Sequence, residues 1–320
     1  MKKASFLSVL FLFLLPSLSL CAGVSSLYRA VWSSSLPRLL GGEVEYKDID
    51  GLRHFGTNGL IRQNADGSLT LGSPVVSGSR ADGSSGGGIP AFDVDEVIGG
   101  TFQMGAWGKT LDGCYDWEKP AHSVTVSTFW IGRCEVTQDL WEAIMGSNPS
   151  CFNGANLPVE QVSWDDCRRF LERLNNRKVE LGLESTAYFD FPTEAEWEYA
   201  ARGGNKSNNY TYSGSDDIGA VAWYDGNSNS QTHPVGQKLP NELGLYDMSG
   251  NVWEWCRDWY GSYSSEAQTN PAGAASGSLR VYRGGSWDYN ARGCRVSDRY
   301  SVTPDFRGDV LGLRLVLQFP

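Results

Sequence analysis

Histidine, methionine and regular repeats are scarce in this 320-residue chain. It holds three histidines and four methionines. His54, His122 and His233 stand far apart, outside any zinc-ligand or catalytic-triad spacing, so each reads as an ordinary surface or core residue. There is no CxxC and no Cys/His cluster, which argues against zinc. No heptads persist and nothing recurs at a fixed period, which excludes coiled coils and solenoids. Positive charge is short as well: 27 basic residues face 37 acidic ones, a formal net charge of −10, so no nucleic-acid partner is expected. The abundant components are 38 Gly and 12 Trp, within a chain that is 41% hydrophobic and 12% aromatic. That apolar mass excludes disorder for the bulk of the chain and fits one large domain or two small ones. It suggests a loop-rich body in which large rings anchor irregular backbone.

Lys2 and Lys3 followed by the apolar run Phe6 to Leu20 read as an export signal over residues 1–20, too short for a membrane span. Cys21, behind Leu18-Ser19-Leu20, resembles a bacterial lipoprotein cleavage site, where the thiol is acylated and becomes the new N-terminus. Acyl chains, at about 0.8 kcal/mol per buried CH₂, would hold the chain on a membrane, at the cell surface, without a crossing helix. Export places Cys114, Cys134, Cys151, Cys167, Cys256 and Cys294 in an oxidising compartment, and spacing does not choose among their possible pairings. Residues 21–76 hold turn signals such as Asn64-Ala65-Asp66-Gly67 between short strand-like pieces and suggest no function. SGSRADGSSGGG, Ser77 to Gly88, has the composition of a flexible linker, which predicts a globular domain over 89–320.

Three helices are expected in that domain. One follows Thr137 and stops at Gly146, where glycine tolerates a left-handed cap. A second follows Ser163, with Trp164, Cys167, Phe170, Leu171 and Leu174 on one side as core. The third follows Pro192, where Thr193 and Glu196 form a capping box, and ends at Gly203. Ser123 to Gly132 reads as a strand, and LGLRLVLQF near the C-terminus as one that closes a sheet. Together these predict an α+β fold.

Several motifs then become specific: GGTFQMG from Gly99, EKPAHSVTVSTFWIGRCEVTQDLW from Glu118, LPVEQVSWDD from Leu157, PTEAEWEYAARGG from Pro192, GLYDMSGNVWEW from Gly244 and RGGSW from Arg283. In content and order they resemble the sulfatase-modifying-factor, or formylglycine-generating-enzyme, family over about residues 95–317. The resemblance implies a loop-rich fold related to C-type lectins. It also implies an enzyme that oxidises a sulfatase cysteine using two copper-binding cysteines placed just after the GGS motif. A soft cuprous ion needs thiolates. Here Tyr289 stands at the first of those positions and Cys294 at the second, so neither copper nor catalysis is expected. Ser286 and Trp253 match pocket residues of the enzymes and also make sense as packing. The same resemblance implies a structural Ca²⁺ held by side-chain oxygens of Asp247 and Glu254 and carbonyls of Gly250 and Val252, hard ligands suited to that ion. The alternative is that Asp247 caps a turn and Glu254 pairs with a cation such as Arg257.

Two kinds of position alternate from about 283 to 317. A framework of Arg, Gly, Trp and aliphatic residues matches the family's bacterial pattern. Between its members lie Asp288, Tyr289, Asn290, Gly293, Asp298, Tyr300, Ser301, Val302, Asp305, Phe306, Gly308, Asp309 and Val310, positions that many family members fill with asparagine. Every occupant has a codon obtainable from AAC by changing only its adenines. That resembles the variable proteins of diversity-generating retroelements, in which adenine-directed mutagenesis rewrites a lectin-fold receptor. Tyr and Phe offer rigid contact area there, and Ser, Asn and Asp adaptable hydrogen bonding, as in antibody paratopes. The expectation is a lipid-anchored variable ligand-binding protein whose partner is a protein or glycan on another surface. The competing readings are an oxidase of the formylglycine-generating type and a purely structural surface lipoprotein.

Overall fold

The computed structural model describes residues 44–47, 53–55, 61–64, 66–72, 88–183 and 186–319. The export signal, Cys21 and all but the last residue of the Ser77 to Gly88 linker lie outside the described residues.

The strands in chain order are β1 (Val44–Lys47), β2 (Arg53–Phe55), β3 (Ile61–Gln63), β4 (Leu69–Leu71), β5 (Phe92–Val97), β6 (Gly100–Met104), β7 (His122–Val126) and β8 (Phe129–Gly132). They continue as β9 (Tyr188–Asp190), β10 (Trp253–Trp259), β11 (Gln268–Thr269), β12 (Arg280–Arg283), β13 (Arg299–Val302), β14 (Leu311–Gly312) and β15 (Val316–Gln318). The large sheet has the order β1-β2-β3-β4-β5-β8-β15-β9, a second has β13-β12-β10-β14, and a third has β11-β7-β6. Helices α1 (Gln138–Met145), α2 (Trp164–Asn176), α3 (Glu194–Ala201) and the single turn α4 (Ile218–Val221) complete an α+β architecture.

Local chemistry starts and stops the three long helices where the sequence places them. Thr137 Oγ1 accepts from Leu140 N at 3.4 Å and α1 ends at left-handed Gly146. Ser163 and Asp166 cap α2 reciprocally at 3.1 and 2.9 Å, as Thr193 and Glu196 cap α3 at 3.1 and 2.8 Å, which satisfies backbone donors that the first turn would otherwise orphan. The apolar side of α2 is buried, with Phe170 stacked on Trp141 of α1 at 4.9 Å.

Two expectations change. Ser123 to Gly132 is not one strand: β7 and β8 lie in different sheets, and Asn270 Oδ1 accepts from Ser127 N between them. β7 alternates buried and half-buried positions, whereas all four residues of β8 are buried between β5 and β15, the difference between a one-sided and a central strand. Nor does the Ser77 to Gly88 stretch divide the fold as expected from a domain starting at 89. β4 pairs with β5 in the same sheet, and Ile61, Leu69 and Leu71 are fully buried in the core that contains Trp130 and Phe189. The C-terminal strand β15 does close the sheet, lying between β8 and β9. The six described cysteines are all unpaired.

Candidate ligand-binding face

The expected variable segment is built on the β12–β13 hairpin, with Tyr282 opposite Tyr300 and Arg283 opposite Arg299. Four arginines hold its backbone, each fully or almost fully buried against a buried carboxylate from earlier in the chain. Arg295 makes a two-pronged pair with Glu118 at 2.6 and 2.8 Å, and Arg299 one with Glu194 at 2.6 Å on both prongs. Arg283 bonds Glu198, and Arg314 pairs with Glu254 at 2.7 to 3.0 Å. Desolvating such ions is tolerable only when the geometry is good and the remaining donors find acceptors. Most do here: Arg283 also donates to the carbonyls of Asp298 and Val296, and Arg314 to those of Gly132 and Tyr246, while Arg283 Nε makes no hydrogen bond and stands 3.5 Å from Glu194 Oε1. Trp287 adds a further tie, its Nε1 donating to Asp309 O at 2.9 Å.

Asp288, Asn290, Asp305 and Phe306 are exposed on this frame, and Tyr289, Tyr300, Ser301, Val302, Gly308, Asp309 and Val310 are half-buried. The remaining two positions differ from the expectation of surface display. Gly293 lies under Tyr289, and Asp298 is 0% exposed. Asp298 sits between framework arginines, with Oδ1 accepting from Arg299 N at 3.0 Å and Oδ2 unpartnered. Burial, reinforced by the charge of Glu118 and opposed by Arg295 and Arg283, pushes its carboxyl up to about 7.

Aromatic rings dominate the half-buried layer. Tyr289 donates its hydroxyl to that of Tyr300 at 2.9 Å. Both rings meet Trp253 edge-on at 5.3 Å, and Tyr282 meets it at 5.1 Å. Trp253, 3% exposed, is therefore packed beneath tyrosines. Two residues that the sequence reading missed extend this layer. Tyr115 and Trp117, stacked at 4.2 Å, lie 6.4 and 5.8 Å from Tyr300, and the Arg292 guanidinium sits 3.4 Å over the Tyr115 ring. Their signal was an aromatic pair in a glycine-bearing loop, from Gly113 to Glu118, that no periodic element claimed.

At the positions where the resemblance implies the enzymes' two thiols, Tyr289 is engaged as described and Cys294 is 0% exposed, its thiol pushed far up by burial. Gly285, φ +83°, packs so closely that a Cβ would lie 2.4 Å from Cys294 Sγ. The GGS turn thus seals the sulfur against backbone that only glycine can supply.

The expected calcium ligands are only partly free. The structure corrects Glu254: it takes neither an open position nor Arg257 as partner, because Arg314 grips both its oxygens and Trp197 Nε1 donates to it at 2.6 Å. Asp247 is 2% exposed, with Oδ2 accepting from Gly236 N at 2.7 Å and Oδ1 orphaned. Glu135, which the sequence reading did not single out, is 3% exposed with both oxygens orphaned. Burial, and next the charge of Asp247, raise its carboxyl well above the usual range. Buried orphan carboxylate oxygens are what a hard cation would satisfy. Asp247 and Glu135 carry such oxygens, whereas those of Glu254 are already taken by Arg314 and Trp197.

Residues 93–319 match the sulfatase-modifying factor enzyme 1-like domain. A solved structure of Treponema denticola variable protein 1 superposes with a TM-score of 0.64 at 33% identity, covering 78% of this chain and 100% of that one. Chaperone protein LppX of Paenibacillus barcinonensis is 34% identical over 288 residues, 76% of this chain and 95% of its own. The formylglycine-generating enzyme of Streptomyces coelicolor is 34% identical over 192 residues, and the match spans only 57% of that enzyme. The fold is thus the C-type-lectin-like α+β fold of the formylglycine-generating subtype.

Proposed function

Since the chain belongs to the sulfatase-modifying factor enzyme 1-like family, we propose that it has kept that scaffold, lost its oxidation chemistry, and serves as a ligand-binding protein with a retroelement-diversified face. One observation carries the loss of chemistry: where the enzymes hold two copper thiolates, this chain has a phenol bonded to Tyr300 and a sealed, protonated thiol. A linear cuprous site needs two thiolates, so copper is not part of the reading. The likeness to a variable protein over the whole length of that protein supports the binding role, as does a framework that fixes backbone while side chains between its arginines reach solvent. A protein or glycan on another cell surface suits a face of tyrosines interleaved with Asp, Asn and Ser. Export and acylation at Cys21 would hold the protein at the membrane. Among the described residues no helix is long and apolar enough to cross one.

Calcium belongs to the same proposal as a structural ion. Asp247, the carbonyls of Gly250 and Val252, and Glu135 would hold it, and its charge would neutralise two buried carboxyls.

The decisive test is genetic. A near-copy of the coding stretch for about residues 283–317, with adenines wherever the two differ, should lie beside a reverse transcriptase gene. Its absence would sink the diversification reading. In parallel, the purified protein should neither bind one cuprous ion nor oxidise a sulfatase-derived cysteine peptide; doing both would restore the oxidase reading.

A further inference from the structure

Gly293 is buried yet belongs to the set of positions expected to vary. It lies in the single helical turn Ala291–Cys294 and its φ is not positive, so its backbone would accept any residue but proline, which would lose the N–H that bonds Asn290 O at 3.0 Å. Space forbids one. A Cβ at Gly293 would lie 2.1 Å from Tyr289 Cδ1 and 2.4 Å from Cε1, far inside van der Waals contact. The ring cannot yield in place, because it is held against Trp253 at 5.3 Å and bonded through its hydroxyl to Tyr300.

We propose that Gly293 is a specificity-determining position that acts through residue 289. With glycine at 293, an aromatic ring at 289 lies down on the face and joins the Trp253 and Tyr300 cluster. With any side chain at 293, that ring must leave its seat and stand toward solvent, which gives the face a different shape. The two positions therefore vary as a pair, and a buried codon earns its place in the variable set by steering an exposed neighbour. Specificity in this sense rests on the binding reading above; the pairing itself does not.

A second pair serves as a contrast. A Cβ at Gly308 would meet the Phe306 ring at 3.1 and 3.3 Å, but that residue is 43% exposed and its ring is free to swing. Adjacency without a seat should couple weakly.

The test is a double-mutant cycle on the unliganded protein, so its outcome is independent of whether the face binds a partner. Tyr289→Ser, Gly293→Ser and their combination are compared by urea unfolding and near-ultraviolet circular dichroism. Contacting residues couple and independent ones add. With Tyr289 in place, Gly293→Ser should raise the unfolding constant about tenfold and change the aromatic signal; in the Tyr289→Ser background it should shift either by less than about threefold. Failure to fold with Tyr289 in place, but not in the Tyr289→Ser background, would equally support the pairing. An equal cost in both backgrounds, or failure to fold in both, would overturn it. The cycle of Phe306→Ser with Gly308→Ser should be additive within about twofold; coupling there as strong as at 289 and 293 would overturn the claim that seating, rather than adjacency, links the positions.

Discussion

At the scale of single residues, the face is governed by side chains that solvent does not reach. Asp298 gains a proton on folding, because burial lifts its carboxyl from near 4 to about 7. The folded state then binds more protons than the unfolded chain between those values, so stability falls as pH rises through that window. Asp298→Asn removes that titration. Urea unfolding should show the drop in stability from pH 5 to pH 8 reduced by roughly 1–3 kcal/mol, and an unchanged drop would mean that Asp298 is charged throughout. Calcium is likewise decided by individual oxygens. Adding the ion should raise the melting temperature and a chelator should reverse the rise. Asp247→Asn should abolish the response, whereas a rise retained in that variant would place the ion elsewhere.

Elements are held together by ion pairs that join distant parts of the chain. Glu118 closes the loop carrying Tyr115 and Trp117, accepts from Tyr115 N and Ser297 Oγ, and grips Arg295 beside the turn Ala291–Cys294. Removing one partner of such a pair leaves a buried charge without its complement. Glu118→Gln should cost about 3 kcal/mol in urea unfolding. It should also increase hydrogen exchange in both the loop and the turn, since one carboxylate orders both. A loss confined to either segment would show that they are fixed independently. The helices behave differently: Thr137, Ser163 and Thr193 each act within one turn of their own helix, so sequence alone located them.

For the whole molecule, the N-terminal strands share one sheet with the lectin-like body, and β3 and β4 share its core. Leu71→Ala should therefore destabilise the body itself, by about 2–5 kcal/mol for a buried leucine, in a single unfolding transition. A separate early transition with the main one unchanged would restore the two-part organisation that the linker composition suggested. The membrane connection is tested at this scale too: Cys21→Ser should move the protein from the membrane fraction to the soluble one, and an unchanged distribution would count against a lipid anchor.

Sequence by itself determined what is written locally or by motif. The caps of α1, α2 and α3, the α+β class and the family were all legible, because each depends on residue identity at short or motif-defined spacing. Only the tertiary structure decided what depends on residues far apart in the chain. It gave Glu254 to Arg314 across 60 positions, left Glu135 and Asp247 with orphaned oxygens, split Ser123 to Gly132 between two sheets, and drew β3 and β4 into the body. It also buried Gly293 and Asp298 within a segment whose pattern pointed to the surface. The physical reason is the same in each case: burial and charge pairing are properties of the space around a side chain, and a linear pattern carries no record of which distant residues fill it.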